Sequence, residues 1–265
     1  MLEIIGYVSS LFIGVALGMI GGGGSILTVP VLVYLFKVDP VTATAYSLFI
    51  VGITSLIGAI PKYRSGMIQM KTAIVFGIPS IVSVYLTRRF LVPSIPQHIL
   101  TVGGFELTKP LMLMLLFSFL MVFASYTMIK GNGKEETPSV VQTFNYPMIT
   151  LEGLLVGVLT GMVGAGGGFL IIPALVIFTK LDMKKAIGTS LLIIAAKSLI
   201  GFMGDLSHIQ MQWQLLLDVT VLAIAGILIG NQWSKKMDAG LLKKIFGWFV
   251  LILGIYIIIK ELFMG

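Results

Sequence analysis

Two glycine-rich runs lie inside long apolar stretches of this 265-residue chain. Their residues are Gly21, Gly22, Gly23, Gly24 and Ser25 in the first run, and Gly164, Ala165, Gly166, Gly167 and Gly168 in the second. Each glycine disfavours a helix by about 1 kcal/mol relative to alanine, so both runs should interrupt a helix. A helix that starts after such a break presents unpaired N–H groups and a positive dipole end, which attract anions. The two runs together predict a small-anion site near the membrane midplane, with tight helix packing as the alternative explanation.

Lys197 lies midway along the apolar segment 186–203. A lysine at the centre of a bilayer costs at least about 2.5–3.5 kcal/mol, which favours a functional role over pairing with a backbone carbonyl. Its ammonium group suits an anionic substrate. Hydroxyl groups that could donate to an oxyanion follow each glycine run, on Ser47, Thr189 and Ser190. The alternative for each hydroxyl is a hydrogen bond to a carbonyl of its own helix.

The composition is that of a membrane protein. Hydrophobic residues make up 57% of the chain and charged residues only 11%, with a mean hydropathy of +1.04. Soluble domains have about 25% charged residues, so a soluble enzyme is excluded. The uncharged runs, of which the longest is 4–36, exceed or approach the roughly 20 residues that a spanning helix needs. We therefore predict an all-α polytopic membrane protein rather than a β-barrel.

The net charge of +7 comes from cations between the apolar segments, as in cytoplasmic loops. This arrangement predicts membrane lipid as a partner and does not predict nucleic acid. The chain has no cysteine, which excludes disulfides and thiolate sites. It also lacks motifs of catalytic or metal-binding residues, so we predict neither an enzyme nor a metal site nor a cofactor.

A shift of 143 residues aligns two halves of the chain. Residues 14–30 read GVALGMIGGGGSILTVP and residues 157–173 read GVLTGMVGAGGGFLIIP. About 21 of the 45 aligned positions between 14–58 and 157–201 are identical, far above chance. The predicted organisation is an N-terminal transmembrane repeat, a polar linker and a C-terminal transmembrane repeat. Their bounds are 1–130, 131–147 and 148–265.

Each half contains five apolar segments, and the glycine run separates the first two, as one broken span or as a hairpin. The segments are 4–20, 25–36, 41–60, 72–87 and 110–129, then 148–163, 168–179, 186–203, 212–234 and 245–259. The loop with Lys62 and Arg64 is basic, whereas its counterpart near Asp205 is not. Opposite charge in matching loops predicts an inverted 5+5 repeat, although Arg88 and Arg89 would then lie outside. The stretch 90–109 predicts a loop or a short interfacial helix.

The duplicated block resembles the TauE/SafE family of sulfite and sulfonate exporters, also called the 4-toluene sulfonate uptake permease family. The resemblance covers nearly the whole chain. The residues that carry it are the two glycine runs with Pro30 and Pro173, and the stretches 186–191 (AIGTSL) and 198–201 (SLIG). The first half departs from this pattern at 43–47 (ATAYS) and in the insertion 90–109. The family implies movement of small sulfur-containing anions across the cytoplasmic membrane of a prokaryote.

The resulting prediction is a secondary transporter of sulfite, thiosulfate or an organosulfonate. The anion would bind at the glycine-broken helices and move by alternating access. No ATP-binding motif occurs, so an ion or substrate gradient would supply the energy, and a proton is the candidate coupling ion. The alternatives are an anion channel and a structural membrane subunit.

Overall fold

A computed structural model describes residues 2–102, 105–130, 146–179, 181–234 and 239–263. Its α-helices are α1 (Leu2–Ile20), α2 (Thr28–Pro30), α3 (Pro40–Arg64), α4 (Met70–Leu86), α5 (Val92–Ser94), α6 (Lys109–Lys130), α7 (Tyr146–Val163), α8 (Gly168–Thr179), α9 (Met183–Asp205), α10 (Trp213–Trp233) and α11 (Ala239–Phe263). A 3₁₀ helix, Gly21–Leu27, precedes α2, and π-helical turns at Val31–Leu35 and Thr87–Leu91 follow α2 and α4. Each of the ten predicted apolar segments overlaps one helical segment. Most of the predicted linker, 131–145, lies outside the described residues.

The chain is a mostly helical, polytopic membrane protein. Eight helical segments of the described residues are long and apolar enough to cross a membrane. Large apolar side chains on the outside of the bundle are exposed on several different helices, as a lipid environment requires. Examples are Phe12 of α1, Phe119 of α6, Val221 of α10 and Ile252 of α11.

The first of these segments, Glu3–Leu35, is not one straight helix but a hairpin. Gly21 has a φ of +73°, which favours glycine, and the chain reverses there. Beyond the turn, Gly24 packs against the backbone of Leu17, and Phe36 reaches back to Tyr7, with ring centroids 5.2 Å apart. A straight helix would separate these rings by about 45 Å, so the glycine-broken pair folds back on itself.

The second half repeats this turn between α7 and α8. Gly164, Gly166 and Gly167 all have positive φ values. Gly167 returns to the end of α7 so closely that an added methyl group would lie 2.0 Å from Thr160 Cγ2. Both glycine runs thus form tight reversals between two helical arms.

Some contacts between the halves occur twice. In the second copy, each residue is replaced by its repeat equivalent from the other half. Gly14 of α1 packs on the Ala223 carbonyl of α10, and Gly157 of α7 packs on the Ser80 carbonyl of α4. The shift of 143 residues converts the first pair into the second. The same exchange relates two hydrogen bonds. The Gln69 amide donates to Thr189 Oγ1, and the Gln212 amide donates to Tyr46 Oη. These reciprocal contacts give the helical bundle an approximate two-fold symmetry.

The equivalent helices α3 and α9 run in opposite directions. Leu48 contacts Gly201, Gly52 contacts Leu199 and Gly58 contacts Leu191. Residues later in α3 therefore contact residues earlier in α9, so the two helices pack antiparallel. Together these two helices form the centre of the bundle, and the hydroxyl-bearing residues after each glycine run lie on them.

The insertion of the first half differs from its prediction. Helical structure continues through Ser94, and a β-hairpin of β1 (His98–Val102) and β2 (Phe105–Thr108) follows. The β-branched and aromatic residues of these strands favour pairing over a loop or an interfacial helix. The predicted segment 72–87 is also too short. Arg88 lies in the helical continuation of α4 and is fully buried.

Candidate functional site

The two glycine runs cross in the middle of the bundle. A methyl group added to Gly168 would lie 2.0 Å from the Cα of Gly22, so the two backbones are in direct contact. A methyl group on Gly22 would in turn lie 2.3 Å from Ile194 Cδ1 of α9. The crossing therefore joins both reversals to α9. It requires residues without a Cβ, which explains glycine at these positions better than helix breaking alone.

Lys197 of α9 lies at the second reversal and is 1% exposed. Its Nζ donates to Thr160 Oγ1 over 2.9 Å, and a Cβ on Gly167 would lie 2.9 Å from the same Nζ. Among the described residues no carboxylate forms a salt bridge with Lys197. A buried ammonium group with one neutral hydroxyl partner lacks a counter-charge, and a bound anion would supply it.

Two of the four predicted hydroxyl groups already donate a hydrogen bond, and a third accepts one. Ser25 Oγ donates to the Gly22 carbonyl, Ser190 Oγ donates to the Ile187 carbonyl, and Thr189 Oγ1 accepts the Gln69 amide. For Ser25 and Ser190 the alternative explanation, a hydrogen bond to a nearby backbone carbonyl, is therefore the one observed. Ser47 Oγ is buried without a hydrogen-bond partner among the described residues, so its donor remains available.

Two polar residues at the second reversal are absent from the predicted set. Thr160 holds Lys197, and the buried hydroxyl of Ser198 lies 3.4 Å from the position of a Cβ on Gly166. Ser198 Oγ has no partner in the described part of the chain. The repeat alignment carries a signal for Thr160, because the equivalent residue of the first half is the apolar Leu17.

The expected free helix N-terminus does not form after the first run. The 3₁₀ helix begins at Gly21 itself rather than near Ser25. In the second run the amides of Leu170 and Ile171 both donate to the Gly167 carbonyl. Side-chain donors at this site thus come chiefly from Lys197 and from the neighbouring hydroxyls.

A second group of buried polar residues adjoins the other end of the reversal. Gly164 packs on Thr44 of α3, and an added Cβ would lie 2.3 Å from the Thr44 carbonyl oxygen. Arg88 Nη1 donates to Thr44 Oγ1 over 2.9 Å and lies 3.3 Å from Asp205 Oδ2. This buried ion pair connects the two halves and was not predicted from the sequence.

The two acidic residues that could carry protons, Glu152 and Asp218, differ in burial. Asp218 of α10 is exposed, whereas the carboxylate oxygens of Glu152 in α7 are enclosed. Neither oxygen of Glu152 has a hydrogen-bond partner among the described residues. The described residues also contain no cluster of potential metal ligands. The described side chains at the crossing are a cation and hydroxyls, which are groups that can donate hydrogen bonds to an oxyanion.

Comparison with known proteins identifies similar sequences. The sequence model of the family described as "Sulfite exporter TauE/SafE" matches residues 7–257. A "Probable membrane transporter protein" of Xylella fastidiosa (strain Temecula1) is 30% identical over 93% of this chain and 91% of its own length. The "Probable membrane transporter protein YdhB" of Bacillus subtilis is 29% identical over 87% of this chain and 90% of its own length. No solved structure matches.

Proposed function

The chain belongs to the sulfite exporter TauE/SafE family and is a membrane transporter, and from this premise we propose that it carries a small sulfur-containing oxyanion. Sulfite, thiosulfate and organosulfonates are the candidate substrates. All three present several negatively charged or polar oxygen atoms to a site. Such groups match a buried ammonium group surrounded by hydroxyl donors.

Lys197 is the observation that carries the proposal. Its ammonium group is buried in the middle of α9, and among the described residues its one hydrogen-bond partner is the neutral hydroxyl of Thr160. It lies at the second glycine reversal, which contacts the first at Gly168. The hydroxyl of Ser198 lies beside Gly166, and Ser47 supplies a second buried hydroxyl on α3; neither has a partner among the described residues. These groups would replace the hydration shell of the bound anion.

We further propose an inverted 5+5 topology, in which each glycine-broken pair counts as two segments. The antiparallel packing of α3 on α9 supports it, and so does the reversal at Gly21. In this arrangement the bound anion lies between the two halves. Rocking of one half or bundle against the other then exposes the anion to alternate sides of the membrane. The proposed location is the cytoplasmic membrane of a prokaryote.

An ion or substrate gradient would supply the energy, and we propose the proton as the coupling ion. Glu152 is the candidate carrier, because both oxygens of its carboxyl group are enclosed in a candidate membrane helix and have no hydrogen-bond partner among the described residues. The carboxyl group could thus gain and lose a proton as its surroundings change during the transport cycle.

Transport by the purified protein in proteoliposomes tests the proposal. The internal or external solution contains sulfite, thiosulfate, methanesulfonate or taurine, with chloride, phosphate and acetate as controls, at two pH gradients. Saturable transport of one sulfur anion supports the proposal, and acceleration by the pH gradient supports proton coupling. Flux that does not saturate would instead indicate a channel. Absence of transport by folded protein would overturn the assignment of sulfur anions.

A further inference from the structure

Arg88 is the largest fully buried side chain of the described residues, and it lies in a segment long and apolar enough to cross a membrane. One nitrogen, Nη1, makes both of its polar contacts, to Thr44 Oγ1 and to Asp205 Oδ2. Nε and Nη2 are also buried and have no hydrogen-bond partner among the described residues. The ion pair with Asp205 therefore uses only part of the guanidinium group.

The two free nitrogens form one edge of the guanidinium plane. Nε–H and the adjacent N–H of Nη2 point in parallel, and this fork matches two oxygens of a carboxylate, phosphate or sulfonate. Nη1, on the other edge, holds Thr44 and Asp205. Arg88 is thus fixed by one edge and presents a bidentate oxyanion-binding edge with the other.

The charged groups near Arg88 are Lys109, Asp205 and, at the surface, Asp39. Lys109, at the start of α6, is buried and interacts electrostatically with both Arg88 and Asp205. Two buried cations therefore share the carboxylate of Asp205. The other nearby carboxylate, Asp39, is exposed and accepts the Thr42 amide at the N-terminus of α3.

This group lies at a distance from Lys197 but adjoins the same glycine reversal. Asp205 follows Lys197 by eight residues on α9, or about 12 Å along the helix axis. Thr44 links the two places, because its hydroxyl accepts from Arg88 and its backbone contacts Gly164.

The equivalent position of the second half carries a neutral residue. The shift that aligns Gln69 with Gln212 aligns Arg88 with Asn231, which is also buried. Both side-chain polar atoms of Asn231 lack partners among the described residues. The repeat therefore places a buried polar group at each equivalent position, but only the first half supplies a cation. The charged position lies on one side of the glycine crossing.

We propose that Arg88 forms a second binding site for the transported oxyanion, using Nε and Nη2, at the level of Asp205, about two helical turns beyond Lys197. The proposal rests on the proposed function. It adds a position on one side of the glycine crossing at which the anion binds before it reaches Lys197. An anion held at Arg88 passes to Lys197 when the halves move apart at Gly164. Because both sites adjoin the same glycine reversal, a single conformational change alters both of them.

Binding of radiolabelled thiosulfate to the purified full-length protein, with sulfite and methanesulfonate as competitors, tests this site. The wild-type protein should bind two anions per chain. Arg88→Lys keeps a positive charge for Asp205 but lacks the bidentate edge, so it should bind one anion, with the lost site weakened about ten- to a hundredfold. Lys197→Met should lose the other site. Arg89→Gln is the matched control, because Arg89 contacts Ser207 and His208 rather than the buried group, and it should still bind two.

The double variant Arg88→Gln/Asp205→Asn removes both charges of the pair and guards against misfolding from an unpaired carboxylate. It should also bind one anion. One anion per chain in the wild type, unchanged in both Arg88 variants but lost in Lys197→Met, would overturn the second site and leave the proposed function intact. Two anions per chain in every Arg88 variant would also overturn it. No binding of any of the three anions to folded wild-type protein would overturn both proposals.

Discussion

Gly22 and Gly168 pack backbone against backbone at the centre of the bundle. They are not equivalent residues of the repeat, because the alignment pairs Gly22 with Ala165 and Gly168 with Ser25. The two reversals therefore interlock with a small offset rather than meeting at identical residues. Whatever binds at this crossing contacts both halves at once, and a movement between the halves must alter its surroundings.

Gly168→Ala should disrupt this crossing. The new methyl group would lie 2.0–2.3 Å from three backbone atoms of Gly22, which cannot rotate away. We expect a loss of stability of at least about 1–3 kcal/mol, measured as a lower thermal midpoint in detergent. Gly77→Ala is the matched control, since its nearest neighbour would be Ile193 Cγ1 at 3.7 Å. It should equal or exceed wild-type stability through better helix propensity. Equal stability of both variants would contradict the close crossing.

Lys197→Met should insert and fold, because methionine fills the space of the lysine stem without its charge. The site then loses the cation that Lys197 supplies, so affinity for the transported sulfur anion should fall about ten- to a hundredfold. Competition binding with the anion that proves saturable in proteoliposomes measures the change. Lys260→Met, near the end of α11, is a control for loss of charge alone. Unchanged affinity in Lys197→Met would remove this residue from the site.

Thr160→Val isolates the hydrogen bond that holds Lys197. Valine has nearly the same shape but cannot accept from Nζ, so the ammonium group loses its one described partner. Thr160→Ser retains the hydroxyl and should behave like the wild type. We expect weaker anion binding in the valine variant alone, seen by calorimetry on purified protein. Equal weakening in both variants would indicate a packing role for Thr160 rather than orientation of Lys197.

Sequence patterning predicted the helices well because the long helices are mostly uncharged runs with charged or glycine-rich ends. The bounds of α8 agree with the predicted segment at both ends. The predicted segment 72–87 ended before Arg88 for a physical reason. Two adjacent arginines normally mark a loop, and Arg88 becomes tolerable in a helix only through Asp205, a residue of the other half.

The candidate site was only partly predictable for a similar reason. Glycine runs and Lys197 stand out in an apolar sequence, because each is costly there without a function. Whether a hydroxyl is free or occupied depends on local geometry, which separates Ser47 from Ser190 although the repeat aligns them. Thr160 could have been found by comparing the halves, since it replaces Leu17 beside a reversal.

Tyr46→Phe tests the reciprocal hydrogen bonds between the halves. It removes the acceptor of the Gln212 amide and leaves that N–H without this partner, at a cost of about 1–3 kcal/mol. Thr189→Val does the same to the Gln69 amide and should lower the thermal midpoint by a similar amount. Tyr63→Phe is the control, because Tyr63 is largely exposed. A midpoint in Tyr46→Phe equal to that of Tyr63→Phe would count against this contact.

The orientation of the halves can be measured directly. The turn after α3 and the turn after α9 are equivalent in the repeat, and α3 and α9 pack antiparallel. Because the chain lacks cysteine, single cysteines can be introduced at Ser65 and Ser207 without a background thiol. In right-side-out vesicles an impermeant thiol reagent should label one of them and not the other, and inside-out vesicles should reverse the pattern. Labelling of both from the same side would overturn the inverted arrangement, because a repeat with five crossings per half must place these turns on opposite faces.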